Sequence, residues 1–117
     1  MKNLLLAGFI CLAAVLSTTE AQAQSIAKIL SESGLLPQDF EIMSAQAATL
    51  YKNGNPRKGA TTRWKNDASR SHGTVELVAI QQNCALLRHI VYPKGIKTAR
   101  EIRMRRCKTT EGKWILQ

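Results

Sequence analysis

The sequence predicts an α+β domain in which two N-terminal helices pack on an antiparallel meander of four or five β-strands, held by one disulfide bond. Apolar residues recur at helical spacing up to about residue 52, and from about residue 60 they alternate with polar residues in short runs, as in strands. Helices first and strands afterwards is an order typical of the α+β class. A length of 117 residues suits one small domain and excludes a two-domain enzyme or a (β/α)₈ barrel.

Residues 1–23 have the three-part pattern of a secretory signal peptide. A basic residue precedes an unbroken apolar run over residues 4–16, and Ala21 and Ala23 occupy the −3 and −1 positions of a cleavage site after Ala23. The run has 13 residues, whereas a transmembrane helix needs about 20. A lipoprotein acylated within the apolar run, at Cys11, is the alternative to simple cleavage.

Cleavage leaves residues 24–117 as a single domain, which we expect in the periplasm, associated with the cell envelope, or secreted. Cleavage removes one base and one acid, Lys2 and Glu20, so the mature chain keeps the formal charge of +9. No later segment is apolar enough to predict a transmembrane helix after cleavage. Aromatic content of 5% argues against a nucleic-acid module built on stacked bases, so no nucleic-acid partner is expected.

Cys84 and Cys107 are the two cysteines of the predicted mature chain. An even pair in an oxidising compartment predicts a disulfide bond, which closes a loop of 24 residues. In the chain-entropy model such a loop stabilises the fold by roughly 3–3.5 kcal/mol. A metal site lacks further ligands, since His72 and His89 do not have finger-like spacing, and a redox pair would normally be Cys-x-x-Cys. We therefore expect no metal and no other cofactor.

The first helix is predicted over residues 25–33. Ile26, Ile29 and Leu30 lie at positions i, i+3 and i+4, which places them on one helix face. Gly34 follows and can end the helix.

The second helix is predicted from about Pro37 to Lys52, within a helical part that covers residues 24–55. Proline suits the first helical turn, and the carboxylate of Asp39 complements the positive end of the helix dipole. An apolar stripe on one face predicts packing against the sheet. The stripe consists of Phe40, Met43, Ala47, Leu50 and Tyr51.

The sheet is predicted over residues 60–117, where the period of the apolar residues changes to two. The predicted strands cover about 62–65, 74–79, 84–92, 97–107 and 113–116. The run over 84–92 also fits a helical stripe, but the strand-like sequences on both sides favour a strand.

Several short motifs follow one another in the predicted sheet with a recognisable order and spacing. They are Trp64-Lys65-Asn66, Ser69, Gly73-Thr74-Val75, Cys84, Arg106-Cys107 and Glu111-Gly112-Lys113-Trp114. In this order they resemble the small surface-antigen domain of proteobacterial envelope proteins, and with the helical lead-in the likeness covers most of residues 38–117. The chain differs from that pattern at Lys108 and Glu111, where Arg and Asp are usual. The resemblance implies a periplasmic or envelope-associated domain without enzymatic activity.

The predicted core draws on both parts of the chain. Its members are Phe40, Leu50, Tyr51, Trp64, Val75, Leu77 and Trp114. We expect Trp64 and Trp114, from the first and last strands, to pack as a pair, because each indole can bury about 150–250 Å². Gly73 and Gly112 are expected in turns that need positive φ, and polar side chains are expected to hold the 66–69 loop by bonds to its backbone.

The sequence contains no convincing catalytic constellation. His72 beside Ser69 and Ser71 is the only local candidate for a nucleophile and its base, and no Gly-x-Ser-x-Gly motif accompanies it. His89 lies in a predicted strand, and the acidic residues are isolated from one another. We therefore predict no catalytic residues and no enzymatic activity.

Basic residues are concentrated in the second half of the chain. Eight Lys or Arg residues and one acid, Glu101, lie between Arg88 and Lys108 inclusive. Strand alternation predicts that Arg103 and Arg105 lie on one sheet face, away from the apolar residues of the same strand. The candidate anion-binding residues are Arg88, Arg100, Arg103, Arg105, Arg106 and Lys108. A second basic cluster near the linker comprises Lys52, Arg57, Lys58, Arg63 and Lys65.

Three interpretations of this charge remain open. The first is an interaction module that docks on an anionic envelope component (lipopolysaccharide, phospholipid headgroups or peptidoglycan) or on an acidic partner protein. The second is a secreted effector, such as an enzyme inhibitor or a small hydrolase. The third is a solvated basic face that only aids solubility. Salt-sensitive binding would favour the first, and a concave site that encloses a histidine and a carboxylate would favour an enzyme.

Overall fold

The structure, a computed structural model, describes the backbone of residues 17–117 and the side chains from Gln22 onward. The apolar run of the predicted signal peptide, residues 4–16, lies outside the described residues. The elements are α1, Ser17–Ser33; α2, Pro37–Tyr51; β1, Thr61–Asn66; β2, Ser71–Gln81; β3, Cys84–Tyr92; β4, Arg100–Lys108; and β5, Trp114–Leu116. This arrangement confirms the predicted α+β class.

The helix α1 begins earlier than the predicted helix over 25–33. Its regular backbone passes through the proposed cleavage point between Ala23 and Gln24. The helix α2 has the predicted proline in its first turn and ends one residue before Lys52. Within the described part of the chain, neither helix is long and apolar enough to cross a membrane.

The five strands form one antiparallel sheet in the order β1-β2-β3-β4-β5. Each strand pairs with its neighbours in sequence, because the connections are short. The segment 84–92 is a strand, as its flanks indicated, and an irregularity between Leu77 and Ala79 shifts the register within β2. Cys84 and Cys107 are directly opposite each other on β3 and β4 and form the predicted disulfide, with their Cα atoms 4.0 Å apart.

Both helices pack on the same side of the sheet. We refer to this side as the core face and to the other side as the outer face. Alternation along each strand sends every second side chain to the core face, where Val75, Leu77 and Val91 are fully buried beneath Met43 and other α2 residues. Six of the predicted core residues are at most 7% exposed: Phe40, Leu50, Tyr51, Trp64, Val75 and Leu77.

The predicted pairing of Trp64 with Trp114 is wrong. The meander places β1 and β5 at opposite edges of the sheet, so residues of these two strands cannot meet across it. Trp114 is only partly buried, and its ring lies against the ring of Tyr51, with the two centroids 4.8 Å apart. The last strand is therefore held to α2 rather than to the first strand.

The sequence predicts Gly73 in a turn with positive φ, and this prediction is wrong. Gly73 lies inside β2 and does not have positive φ. A Cβ atom at this position would lie 2.5 Å from the backbone oxygen of Ile90 and 2.9 Å from Nε1 of Trp64. Glycine is required because the indole packs directly onto the strand backbone. Gly112 does have the expected positive φ, 87°.

Candidate anion-binding surface

Three of the six candidate anion-binding residues, Arg88, Arg103 and Arg105, lie on the outer face of the sheet, where no helix covers them. The strand register places the following side chains there: Thr61, Arg63 and Lys65 of β1; His72, Thr74 and Glu76 of β2; Arg88, Ile90 and Tyr92 of β3; and Glu101, Arg103 and Arg105 of β4. Five of these are Lys or Arg and two are Glu, which is an excess of three positive charges. A basic sheet face of this kind attracts anions.

Two of the candidate arginines on this face are paired with carboxylates. Arg88 and Arg103 lie directly opposite each other on β3 and β4, a placement that costs energy for like charges. The Nε atom of Arg88 lies 3.3 Å from Oε1 of Glu76, and the Nε atom of Arg103 lies 2.9 Å from Oε1 of Glu101. These partly exposed pairs relieve the repulsion and leave little net charge at the centre of the face.

Arg105 extends the outer face towards the disulfide. Its side chain is exposed, and its Nη2 atom lies 3.4 Å from Sγ of Cys84. Among the described residues, Arg105 has no carboxylate within ion-pair distance. It is therefore one of the candidate residues whose charge is available to a ligand.

The other three candidate residues do not belong to the outer face. Arg100 donates from Nη1 to the backbone oxygen of Glu32, 2.9 Å away, at the end of α1. Arg106 donates to Oγ of Ser44 over 3.1 Å, and its guanidinium lies 5.8 Å from the ring centroid of Phe40. These two arginines hold the helices to the sheet. Side chains alternate between the two faces along β4, so Arg100 and Arg106 lie on the opposite face from Arg103 and Arg105. The sequence prediction had placed all four in one group.

Lys108 also lies outside this face. It is exposed at the end of β4, opposite Trp114 in the register. The six candidate residues are thus divided between two sides of the sheet and do not form a single surface.

The basic residues of β1 contribute more to the outer face than the sequence pattern predicts. Lys65, His72 and Tyr92 are neighbours in one row across β1, β2 and β3, and Arg63 lies in the next row. The rings of His72 and Tyr92 stack with centroids 4.8 Å apart and planes inclined by 13°. Arg63 has no carboxylate partner in the described part of the chain, and Lys65 has only a distant contact, 3.8 Å, with exposed Asp67.

A shallow cavity borders this row at the β1 edge. It is lined on one side by Arg63, Lys65, His72 and Tyr92, and on the other by Ile42, Gln46 and Trp64. Nε1 of Trp64 is buried and has no hydrogen-bond partner among the described residues. The cavity combines apolar walls with cationic side chains, which suits the edge of an anionic ligand. In the sequence, the only indication of this cavity was the second basic cluster, which includes Arg63 and Lys65.

The sequence neighbours Ser69 and His72 do not form a nucleophile and base pair. Ser69 donates its hydroxyl to Asp39, whereas His72 lies on the outer face against Tyr92. His89 is fully buried on the core face, and neither of its ring nitrogens has a hydrogen-bond partner in the described structure. Burial, assisted by the positive charge of Arg106, lowers the pKa of His89 from 6.5 to about 4.

Asp39 is a buried polar centre that the local sequence pattern did not indicate. It lies in the first turn of α2, where its charge complements the helix dipole as predicted, and its side chain is fully buried. Its Oδ1 accepts hydrogen bonds from Asn66 at 2.7 Å and from Ser69 at 2.5 Å. Its Oδ2 accepts from Oγ of Ser71 and from the backbone N–H of Leu36, both at 2.9 Å.

These four donors determine the ionisation of the carboxyl group. Burial opposes the charged form, but the hydrogen bonds outweigh it and hold the pKa of Asp39 below its usual 3.8. A sequence signal did exist, since five of the six residues between positions 66 and 71 are polar, and three of them, Asn66, Ser69 and Ser71, are the side-chain donors to Asp39. Their partner lies about 30 residues earlier in the chain, at a distance that local patterns do not reveal.

Comparisons of the chain with protein-family models, with curated proteins and with solved structures find no match. The likeness to the surface-antigen domain therefore remains a prediction based on the motifs. What the structure provides is a sheet with one helix-covered face and one basic outer face.

Proposed function

We propose that this protein is an exported binding module of the cell envelope that docks on an anionic envelope component through the outer face of its sheet. The single observation that supports the proposal most strongly is the excess of three positive charges on the side of the sheet opposite the helices. A flat basic surface binds anions through electrostatic attraction and does not need a catalytic centre. Lipopolysaccharide phosphates, phospholipid headgroups, peptidoglycan and acidic proteins all supply such charge.

The basic residues of β1 are the proposed centre of contact. Arg88 and Arg103 are occupied by Glu76 and Glu101, so their charges are already balanced within the protein. Arg63 and Lys65 are exposed and border the shallow cavity at the sheet edge. The electrostatic contribution to the binding of an anion is largest where the cations have no carboxylate partner within the protein.

The envelope is the proposed setting because two sequence features agree on it. Residues 1–23 have the pattern of an export signal, and the chain contains a disulfide, which persists in oxidising compartments. The motif resemblance to an envelope-associated surface-antigen domain points the same way. None of these features identifies a partner, so the test begins with whole envelope material.

The test is a pull-down of the protein with envelope fractions over a series of salt concentrations. We expect binding that weakens steeply as salt rises, because exposed charges are screened over about 10 Å at 0.1 M salt. The double variant Arg63→Glu/Lys65→Glu should lose at least tenfold in affinity. The opposite result, binding that is indifferent to salt, would contradict the electrostatic module.

The matched control is the variant Lys28→Glu/Lys52→Glu. It changes the net charge by the same amount, and both residues are exposed and belong to the helical layer, Lys28 within α1 and Lys52 directly after α2. We expect it to bind nearly as well as the unaltered protein. An equal loss in both variants would show that net charge alone matters and would remove the outer face from the proposal.

A further inference from the structure

Three loops meet at one end of the molecule, and Asp39 ties them together. They are the α1–α2 turn at 34–36, the β1–β2 turn at 67–70 and the β3–β4 connection at 93–99. Asp39 accepts from Leu36 in the first loop and from Ser69 in the second. It also accepts from Ser71, whose Oγ accepts the backbone N–H of Lys94 in the third loop over 2.8 Å. We refer to these three loops as the three-loop end.

Two of the three exposed large hydrophobic side chains in the described part of the chain lie at the three-loop end. Leu36 is 43% exposed and Ile96 is 47% exposed. The remaining exposed large hydrophobic residue of the described part, Ile80, lies near the β2–β3 turn at the opposite end of the sheet. A Cβ atom at Gly34 would lie 3.5 Å from Cβ of Pro93, so the first and third loops are adjacent and the two exposed side chains belong to neighbouring segments.

Basic residues lie in the same group of loops as these apolar side chains. Arg70, Lys94 and Lys97 are all exposed in the second and third loops. Asp67 is the acid present within the three loops. The combination of exposed aliphatic side chains with several cations is characteristic of protein surfaces that lie in the interfacial region of a membrane.

The backbone of two of these cations is unusual. Arg70 has φ 63° and Lys94 has φ 55°, in the left-handed region that residues other than glycine rarely adopt. Both conformations are maintained by the Asp39 network, because Arg70 lies between Ser69 and Ser71 and the N–H of Lys94 binds Ser71. A buried carboxylate thus holds two exposed cations in a conformation that each would otherwise avoid, which is typical of functional loops.

We propose that the three-loop end docks on the surface of an anionic phospholipid bilayer. Leu36 and Ile96 enter the boundary between headgroups and acyl chains, while Arg70, Lys94 and Lys97 contact the phosphates. An acidic protein with an apolar patch is the alternative occupant, and in that case the chain would not bind the mixed vesicles. The inference rests on the proposed envelope function, and it adds the partner and a second contact region beside the outer face.

The experiment measures co-sedimentation of the full chain with two kinds of vesicle, phosphatidylcholine alone and phosphatidylcholine mixed with phosphatidylglycerol. We expect binding to the mixed vesicles only. The variants Leu36→Ser/Ile96→Ser and Lys94→Asn/Lys97→Gln should each weaken it by about tenfold, because both apolar insertion and charge contribute. Asparagine is chosen at position 94 because it tolerates positive φ.

The controls are placed at the other end of the sheet. Ile80→Ser removes an equally exposed aliphatic side chain, and Lys108→Gln/Lys113→Gln removes two exposed charges. Neither should change vesicle binding, and thermal unfolding of each variant establishes that it is folded. Equal loss in the controls and in the three-loop variants would overturn the assignment of this end.

Two further outcomes separate this inference from the proposed function. Salt-sensitive binding to envelope fractions without binding to mixed vesicles would overturn the lipid assignment and leave the outer-face proposal standing. Vesicle binding that is lost in Arg63→Glu/Lys65→Glu but kept in the three-loop variants would overturn the three-loop end and support the outer face as the lipid contact. Binding to neither material would overturn both.

Discussion

Two buried ionisable residues, Asp39 of α2 and His89 of β3, show opposite ways of placing a titratable group inside a small domain. Asp39 is charged and receives four hydrogen bonds, so its burial is compensated. His89 receives none and is kept neutral, since burial and the charge of Arg106 oppose its protonation. The first group stabilises the fold in its charged form, and the second stabilises it only while uncharged.

His89 makes the domain sensitive to acid. In the unfolded chain its pKa returns to 6.5, whereas in the folded chain it is about 4. The unfolded state therefore binds the proton more readily between these values, so stability is full above pH 6.5 and falls as the pH decreases towards 4. The loss is about 3 kcal/mol in total. Urea unfolding at pH 7 and at pH 4 measures it.

The variant His89→Leu tests the origin of this acid sensitivity. Leucine cannot be protonated, so we expect the free energy of unfolding to change much less between pH 7 and pH 4. His72→Gln is the control, because it replaces the exposed histidine of the outer face and leaves the buried His89 in place. An unchanged slope in His89→Leu would assign the acid sensitivity to another group.

Asp39→Ala should destabilise the protein by about 3 kcal/mol, because it leaves the hydroxyls of Ser69 and Ser71 and the amide of Asn66 without their buried acceptor. Chemical denaturation measures the change. The control Asp67→Ala removes a carboxylate whose side chain is 86% exposed, and it should shift stability by no more than about 0.5 kcal/mol. Similar effects of the two substitutions would contradict the structural role of the network.

At the scale of the elements, alternation along the strands decides which basic residues act together. The arginines of β4 are close in sequence, yet they lie on both faces of the sheet. Arg106 and Arg100 bind α2 and α1, whereas Arg103 and Arg105 remain on the outer face. A run of cations in one strand therefore serves both the attachment of the helices and the exposed surface.

Gly73→Ala should destabilise the sheet by about 2–3 kcal/mol, because the added methyl group meets the backbone of β3 at 2.5 Å and the indole of Trp64. The neighbouring strand cannot move away without breaking its pairing with β2. Gly54→Ala is the control, since no atom lies within 4 Å of a Cβ atom at that position. Thermal unfolding compares the two, and equal midpoints would contradict the close packing of Trp64 on β2.

Removal of the disulfide should lower the free energy of unfolding by about 3 kcal/mol. The double variant Cys84→Ala/Cys107→Ala frees the loop of the β3–β4 hairpin in the unfolded chain and leaves the strand register intact. Urea titration with and without a thiol reductant is the measurement. Reductant should lower the free energy of unfolding of the unaltered protein and leave that of the double variant unchanged. If reductant changed neither value, the native protein would not contain the disulfide bond.

At the scale of the whole molecule, the N-terminal segment touches the last strand. The side-chain amide of Gln22 donates to the backbone oxygen of Leu116 and accepts from its N–H, the latter at 3.0 Å. Cleavage after Ala23 would remove this contact and leave the edge of β5 open to solvent. An uncleaved chain and a chain cleaved after Ala23 would therefore differ at one edge of the sheet.

We expect the protein isolated from its native cells to begin at Gln24. The reason is the apolar run over 4–16, followed by small residues at the −3 and −1 positions of the cleavage site. Intact mass and N-terminal sequencing measure it directly. A product that begins at Met1, or one whose mass includes an acylated Cys11, would contradict this cleavage and require another explanation of how the chain is localised.

The amino-acid sequence by itself determined the order and type of the elements and the cysteine pairing. Period and turn residues are local properties, so the boundaries of α2 and β3 follow from a few neighbouring residues. Compartment and partner were also inferred from local patterns, and they remain proposals.

Only the tertiary structure decided which side chains share a surface. It placed Trp114 against Tyr51, divided the arginines of β4 between two faces, and joined three loops at Asp39. The physical reason is that these relations depend on strand order and on contacts between residues that are far apart in the chain. Local periodicity specifies which way a side chain points, and the packing of the elements specifies what it meets there.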